Sequence, residues 1–364
     1  MGENAKKERP VRLPNIFEAV LPILVMMVLM IYGFIGGGDY TDAHMPLVIS
    51  IAVACIIGGI CGHSFSDMLA GMLDRLNATM EAILILCTVG ILVATFIMSG
   101  TIPALIYYGL DLLTPSLFLP VGCLMVSIVS LACGSSWTAT ATIGIAFLGI
   151  GAGLGINPAL TAGMVISGAY VGDKFSPLSD TTNLAAAVAQ TGLFDHVTAM
   201  ISTTAPTFII SLILYTILGL NIDTSNFDAS VATDLQHALA EGFNLNPLVL
   251  LPIAVIIVVC ILKMPGLVGI AISVGVGILC TMVFQGMHSV SDLFNTLHYG
   301  ITLESSNDLA NELLSRGGMD SQMWTINLIL LAVAYGGALE RCGCIETLFG
   351  KLKHKLHSVG SLIL

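Results

Sequence analysis

Between Gly172 and Asn183 an otherwise apolar chain gathers three charges and a set of oxygens. The segment reads GDKFSPLSDTTN, with Asp173, Lys174, Asp180, Ser176, Ser179, Thr181, Thr182 and Asn183. It follows the apolar run PALTAGMVISGAYV directly. Pro177 has no N–H, so the carbonyl of Asp173, four residues back, loses its helical donor. Ser176 is pushed from helical dihedrals by the proline after it. A helix entering here must open, and in lipid an open backbone persists only where protein or a cavity surrounds it. Each charge at the bilayer centre costs about 2.5–3.5 kcal/mol on insertion scales. Freed carbonyls, hydroxyls and carboxylates together form the oxygen-rich cage that a small hard cation takes. Burial raises a carboxyl pKa and a neighbouring cation lowers it, so a buried Asp173 or Asp180 can switch its protonation near neutral pH. Lys174 either neutralises a resting carboxylate or snorkels to the interface. The plainer alternative is a polar loop at the membrane edge.

A second polar interruption argues against that alternative. GSSWTAT at 134–140 places Ser135, Ser136, Thr138 and Thr140 inside the apolar region 116–155. Two facing breaks at mid-membrane make a site, whereas one makes a loop. For Thr138 and Thr142 taken singly, a bond to a carbonyl one turn back is the commoner role.

The elements that must hold these residues are membrane helices. The chain has 364 residues, 56% hydrophobic and 10% charged, with mean hydropathy +0.95; soluble domains carry about 25% charged residues. Apolar runs near the length of ~20 residues needed to span a bilayer fall at 16–35, 45–62, 81–98, 158–175, 197–220, 246–262, 266–286 and 323–340. The fold class is an all-α polytopic membrane protein. The formal charge of −11, with basic residues clustered only at the two chain ends, does not point to nucleic acid. The first run is too long for a signal peptide and lacks a cleavage site. Cys55, Cys61, Cys87, Cys123, Cys133, Cys260 and Cys280 sit in apolar runs as packing residues, and Cys342/Cys344 form a lone C-x-C that reads as structural.

Lys6, Lys7, Arg9 and Arg12 place the N-terminus in the cytoplasm. With 116–155 as a re-entrant hairpin, Arg75, Lys263, Arg341, Lys351, Lys353 and Lys355 fall inside. The loops 36–44, 221–245 and 287–322 fall outside, and Arg316 is the only basic residue among them. Two full crossings over 116–155 would give the same parity. HSFSDML at 63–69 recurs as HSVSDLF at 288–294, and MEAILIL at 80–86 lines up with MWTINLIL at 323–330. The loop charges put the two HSxSD copies on opposite sides, which makes the repeats inverted, the architecture of many secondary transporters. The expected organisation is a tail (1–15), a first repeat (16–220) with hairpin 116–155 and broken helix 158–192, a connector (221–245) and an incomplete second repeat (246–364). TPSLFLP at 114–120 opens the first hairpin; VGSLIL at 359–364 resembles its start, where the chain stops. The sequence is therefore expected to lack a C-terminal part. Weaker signals include GIGAGLG at 149–155, read as a flexible exit from the hairpin, SFSDMLAGMLDRL as an interfacial helix, and Asp195–His196 as a capping or interfacial pair.

GMVISGAYVGDKFSPLSDTTNLAAAVAQTGLFDH at 163–196, with GSSWTATATIG before it, resembles the NhaC-type sodium/proton antiporters of the ion transporter superfamily. The resemblance implies sodium exchange against protons; some members couple malate and lactate exchange to both ions. It also implies substrate and sodium held between hairpin tips and broken helices. Carried onto matching positions, it points to Ser135, Ser136, Thr138, Asp173, Ser176, Ser179, Asp180, Thr181 and Asn183, with Asp173 and Asp180 as sodium ligands. The expected function is a secondary active transporter in the inner membrane rather than an enzyme. Its expected partners are sodium, protons, the lipid bilayer and a second copy in a homodimer, without a cofactor. Two rivals stand beside it. One is sodium-coupled exchange of a small dicarboxylate, bound by Asn183, hydroxyls and helix N-termini. The other is an intramembrane aspartyl protease using Asp173 and Asp180; AYVGD lacks the first glycine of the Gly-x-Gly-Asp pattern, and both Asp lie on one segment.

Overall fold

A computed structural model describes residues 11–35, 42–133, 136–176, 179, 181–182, 185–186, 191–222, 229–262, 264 and 266–353, and no strand occurs among them. The helices are α1 (Ile16–Ile35), α2 (His44–Ile60), α3 (Phe65–Met98), α4 (Thr101–Leu112), α5 (Pro115–Cys133), α6 (Ser136–Ala139), α7 (Ile145–Gly153), α8 (Pro158–Phe175) and α9 (Leu193–Leu220). They continue with α10 (Ala229–Gly242), α11 (Leu251–Ile261), α12 (Gly266–Phe284), α13 (Val290–Tyr299), α14 (Asp308–Leu314), α15 (Met323–Arg341) and α16 (Cys344–Lys353). By length and apolarity four helices suit a membrane crossing, or up to six if each bent pair counts as one span. The chain is a multi-pass, all-helical membrane protein.

Two compact units divide the chain. One comprises residues up to Leu84 together with Met323 onwards; the other runs from Ile85 to Gln322. In the first, α1 and α15 pack on α2, and α16 packs on α1 and α15. Its core is built from Leu47, Ala54, Ile57, Met68, Tyr335 and Ala338. Arg12 bonds Glu18 through both guanidinium Nη atoms at 2.7 and 2.8 Å and so fixes the chain entering α1. In the second unit, α5 and the arm running from α6 to α7 form a helical hairpin, with α8 and α9 packed against α5. Phe96, Ile102, Phe118, Phe147 and Met164 fill its core.

The repeated motifs share local structure. Ser64 accepts from the Asp67 N–H at 3.1 Å at the start of α3, and Ser289 accepts from the Asp292 N–H at 3.3 Å at the start of α13. A side-chain oxygen at this place satisfies one of the four N–H groups that a helix start leaves open. Asn15 and Asn246 likewise cap the two segments that open each copy. Gly100 (φ 83°) joins α3 to α4, and Gly343 (φ 80°) joins α15 to α16. The two copies therefore share their helix caps as well as the four identical residues of the motif.

The helix foreseen at 65–77 is present as the first part of α3. Several expectations require correction. GIGAGLG is no flexible exit: its first glycines belong to α7, where Gly149 and Gly153 let Ile106 and Leu110 approach the backbone. The connector 221–245 holds α10, whose Leu235 and Leu239 are fully buried. The residues 287–322 hold α13 and α14, and α4 fills the stretch after Gly100. The described cysteines Cys55, Cys61, Cys87, Cys123, Cys280, Cys342 and Cys344 are all free thiols.

Candidate functional site

Small residues bring the end of α8 against the hairpin. Gly168 and Gly172 lie four apart, the spacing that lets two membrane helices approach backbone to backbone. A Cβ on Gly168 would stand 2.5 Å from the Cys123 carbonyl oxygen of α5, and one on Gly172 would strike Ser127, Ser130 and Leu131. Ser130 uses the proximity to donate to the Ala169 carbonyl at 2.5 Å. The last turn of α8 is thus level with the last turn of α5, just before the GSSWTAT tip. The tip helix α6 packs on both α5 and α8. Beyond it, Thr140–Gly144 form a π-helical turn, a local widening that frequently marks functional sites.

Asp173 stands at this junction, with 4% of its surface exposed. Its Oδ2 accepts from Thr181 Oγ1 at 3.1 Å and lies 3.6 Å from Lys174 Nζ. Lys174 Nζ donates to Thr181 Oγ1 at 2.9 Å, and Ser179 Oγ lies 3.0 Å from that same oxygen. A hydroxyl offers one proton and two lone pairs. Thr181 therefore gives its proton to Asp173 and accepts from Lys174 and Ser179, using its whole capacity. Lys174 lies beside the carboxylate.

The break in the helix is closed by the chain itself. The Asp173 carbonyl accepts from the Ser176 N–H at 3.2 Å and from Thr182 Oγ1 at 3.4 Å. Ser179 Oγ accepts from the Thr182 N–H at 3.3 Å, and the Ser179 N–H donates to the Ser176 carbonyl at 3.3 Å. The expected open carbonyl is therefore already bonded within the segment. Ser176, Ser179 and Thr182 are buried, while Thr181 is exposed on one side.

Of the anticipated site residues, Asp173, Ser179 and Thr181 come together through side chains, and Ser176 joins through its backbone. Ser136 opens α6, half-buried, and Thr138 lies within that helix. Ser135, Pro177, Asp180 and Asn183 lie outside the described residues. Thr142 bonds the Ala139 carbonyl at 3.4 Å, the ordinary role expected of it. Sequence reasoning passed over Ser130 and the pair Gly168/Gly172; the small-x-x-x-small spacing was the signal that could have found them.

A sequence profile of the Na+/H+ antiporter family matches residues 168–364, beginning at the glycine that seats α8 on α5. The chain is 37% identical over 322 residues to the Na(+)/H(+) antiporter NhaC of Alkalihalophilus pseudofirmus, covering 88% of this chain and 69% of that one. The chain belongs to the Na+/H+ antiporter family. Two further members show the family's range. The malate-2H(+)/Na(+)-lactate antiporter of Bacillus subtilis is 34% identical, with 98% of this chain and 75% of that one covered. The arginine/ornithine antiporter ArcD of Halobacterium salinarum is 36% identical, with 98% and 73% covered. No solved structure matches the chain. Membership of this family leaves the aspartyl protease reading without support.

Proposed function

We propose that this chain exchanges sodium ions for protons by alternating access, with Asp173 as the residue for which the two ions compete. The observation that carries the reading is the buried Asp173 carboxylate, ringed by Thr181, Ser179 and Lys174 beside the hairpin tip. Deprotonated, the carboxylate with neighbouring hydroxyls offers sodium hard oxygen ligands. Protonated, it is neutral and can recross without the ion. Lys174 is the counter-charge: when sodium enters, the ammonium is repelled, and when sodium leaves, it steadies the bare carboxylate. Asp180, Asn183 and Ser135 are proposed to complete the cage from the two breaks. The protein acts as a transporter rather than an enzyme, and sodium is its substrate without a further cofactor.

The same reading places two inverted repeats, 16–220 and 246–364, in the inner membrane with the N-terminus in the cytoplasm, in keeping with the loop charges. A homodimer in the lipid bilayer is the proposed working form. The test is sodium-dependent acidification or alkalinisation in liposomes carrying the purified chain. Wild type should move protons when sodium is added, and Asp173→Asn should do so at least about tenfold more slowly. Equal flux in both would overturn the assignment.

Coupled exchange of a small carboxylate is the second reading, favoured by one observation: the Lys174 ammonium remains within the polar ring. It could pair with an organic anion, as the malate/lactate relative's name suggests. Adding malate or lactate to the same liposomes separates the two readings, because a pure ion exchanger responds to sodium alone.

A further inference from the structure

A second polar cluster joins the start of α2 to the start of α15 inside the first compact unit. His44 is the first residue of α2, just outside the apolar run of that helix, and is buried. Its Nδ1 bonds Asp42 Oδ1, and its Nε2 lies 3.2 Å from the Trp324 backbone carbonyl. Asp42 Oδ2 in turn accepts from Trp324 Nε1 at 3.2 Å, and the two rings meet edge-on with centroids 5.1 Å apart. Asp42, His44 and Trp324 therefore close a ring of three hydrogen bonds across 282 residues of sequence.

The chemistry of this ring fixes the charge of the imidazole. An ionised carboxylate and a backbone carbonyl are both acceptors only. A neutral imidazole has one N–H and could satisfy one of them; its other nitrogen would present a lone pair to an oxygen. Both bonds form only when both ring nitrogens carry protons. We propose that His44 is a proton-binding site, clamped as imidazolium between Asp42 and the Trp324 carbonyl, which latches α2 to α15 and releases it on losing its proton.

The surrounding charges support the assignment. Asp42 is the charged side chain that acts on His44. On α1, Glu18 is taken by Arg12. On α15, Glu340 bonds Arg75 and Arg341 bonds Asp67, both at the far end of that helix. Asp39 and Tyr40 lie outside the described residues. A cation at a helix N-terminus is opposed by the macrodipole, so the carboxylate must outweigh that field. The hydrogen bond from His44 holds the Asp42 carboxyl below its ordinary range, and the Asp42 bond raises the His44 pKa despite burial. A group with a raised folded-state pKa stabilises fully below its free value of about 6.5 and loses that contribution as pH rises through the folded value. The latch is thus closed in acid and opens in alkali.

Trp324 supplies the readout, because an imidazolium at the edge of an indole quenches its fluorescence. In the full chain carrying Trp137→Phe, Trp324 emission should rise in a one-proton step with its midpoint above the pH of free imidazole, about 6.5. His44→Gln should abolish the step, and Asp42→Asn should move it to lower pH. Sodium-dependent flux in liposomes should keep its maximum within about twofold in His44→Gln but lose part of its pH dependence. A step that persists in His44→Gln, or one absent from the parent, would overturn the proposal. So would flux reduced equally at every pH, which marks a purely structural residue. Should His44→Gln fail to fold, the direction of the Asp42→Asn shift decides.

Discussion

Asp173 and Asp42 are both carboxylates at helix ends, and the ends are opposite ones. Asp173 lies in the last turn of α8, where the helix macrodipole disfavours an anion; Asp42 precedes the first residue of α2, where it favours one. Asp173 is nearly inaccessible, whereas the Asp42 side chain is 45% exposed. The partners of Asp173 come from its own segment, Lys174 next to it and Thr181 eight residues on. Those of Asp42 include Trp324, far along the chain. An anion held against its field is kept in place by its neighbouring cation and hydroxyl. An anion placed with its field stays ionised, which suits it to hold another group's proton.

The substitution expected to do most is the one that removes the disfavoured charge. Asp173→Asn keeps the shape and loses the anion; a hydrogen bond to a charged group is worth about 1.5–3 kcal/mol, so sodium-dependent flux should fall by about tenfold to a hundredfold. Asp42→Asn, by contrast, should leave the maximal flux nearly intact, and comparable losses would erase the distinction drawn here. Next comes the seat of the site. Gly172→Val has to part α8 from α5, at a cost of roughly 1–3 kcal/mol or more, visible as a lower melting temperature in detergent.

Smaller effects sharpen the contrast further. Thr181→Val deletes the hydroxyl that Asp173, Lys174 and Ser179 share, and should raise the half-saturating sodium concentration several-fold at about 1 kcal/mol. No comparable change in sodium affinity is expected from His44→Gln. The least change is expected from Ser289→Ala, which removes the helix cap of the second HSxSD copy at a cost of about 1 kcal/mol. Ser64→Ala should cost a similar amount if the two copies are equivalent in energy as well as in geometry; thermal denaturation of both variants compares them.

Much of the molecule was legible before any coordinates. Apolar length marks helices directly, so α1, α2, α8, α12 and α15 lie where the hydropathy placed them. Pro177 predicted the end of α8 because a missing N–H is a local fact, and α8 does end at Phe175. The short helices α4, α10, α13 and α14 escaped, since amphipathic or brief segments lack the long apolar run that a bilayer demands. GIGAGLG misled for a related reason: glycine suggests freedom in isolation, yet within α7 it serves close packing.

For the site, sequence by itself determined which residues could do the chemistry and that two polar breaks interrupt apolar helices. It determined the oxygen-rich composition of 172–183, because residue type is enough to name donors and acceptors. Tertiary structure decided the rest. Only packing of α8 on α5 through Gly168 and Gly172 sets the Asp173 end level with the hairpin tip. Only the fold shows that the Asp173 carbonyl is already bonded. Only the fold also brings Trp324 to His44 and Asp42. The physical reason is range: a missing N–H or a charged side chain acts on its neighbours in the chain, whereas a hydrogen bond across 282 residues exists only once the helices have packed.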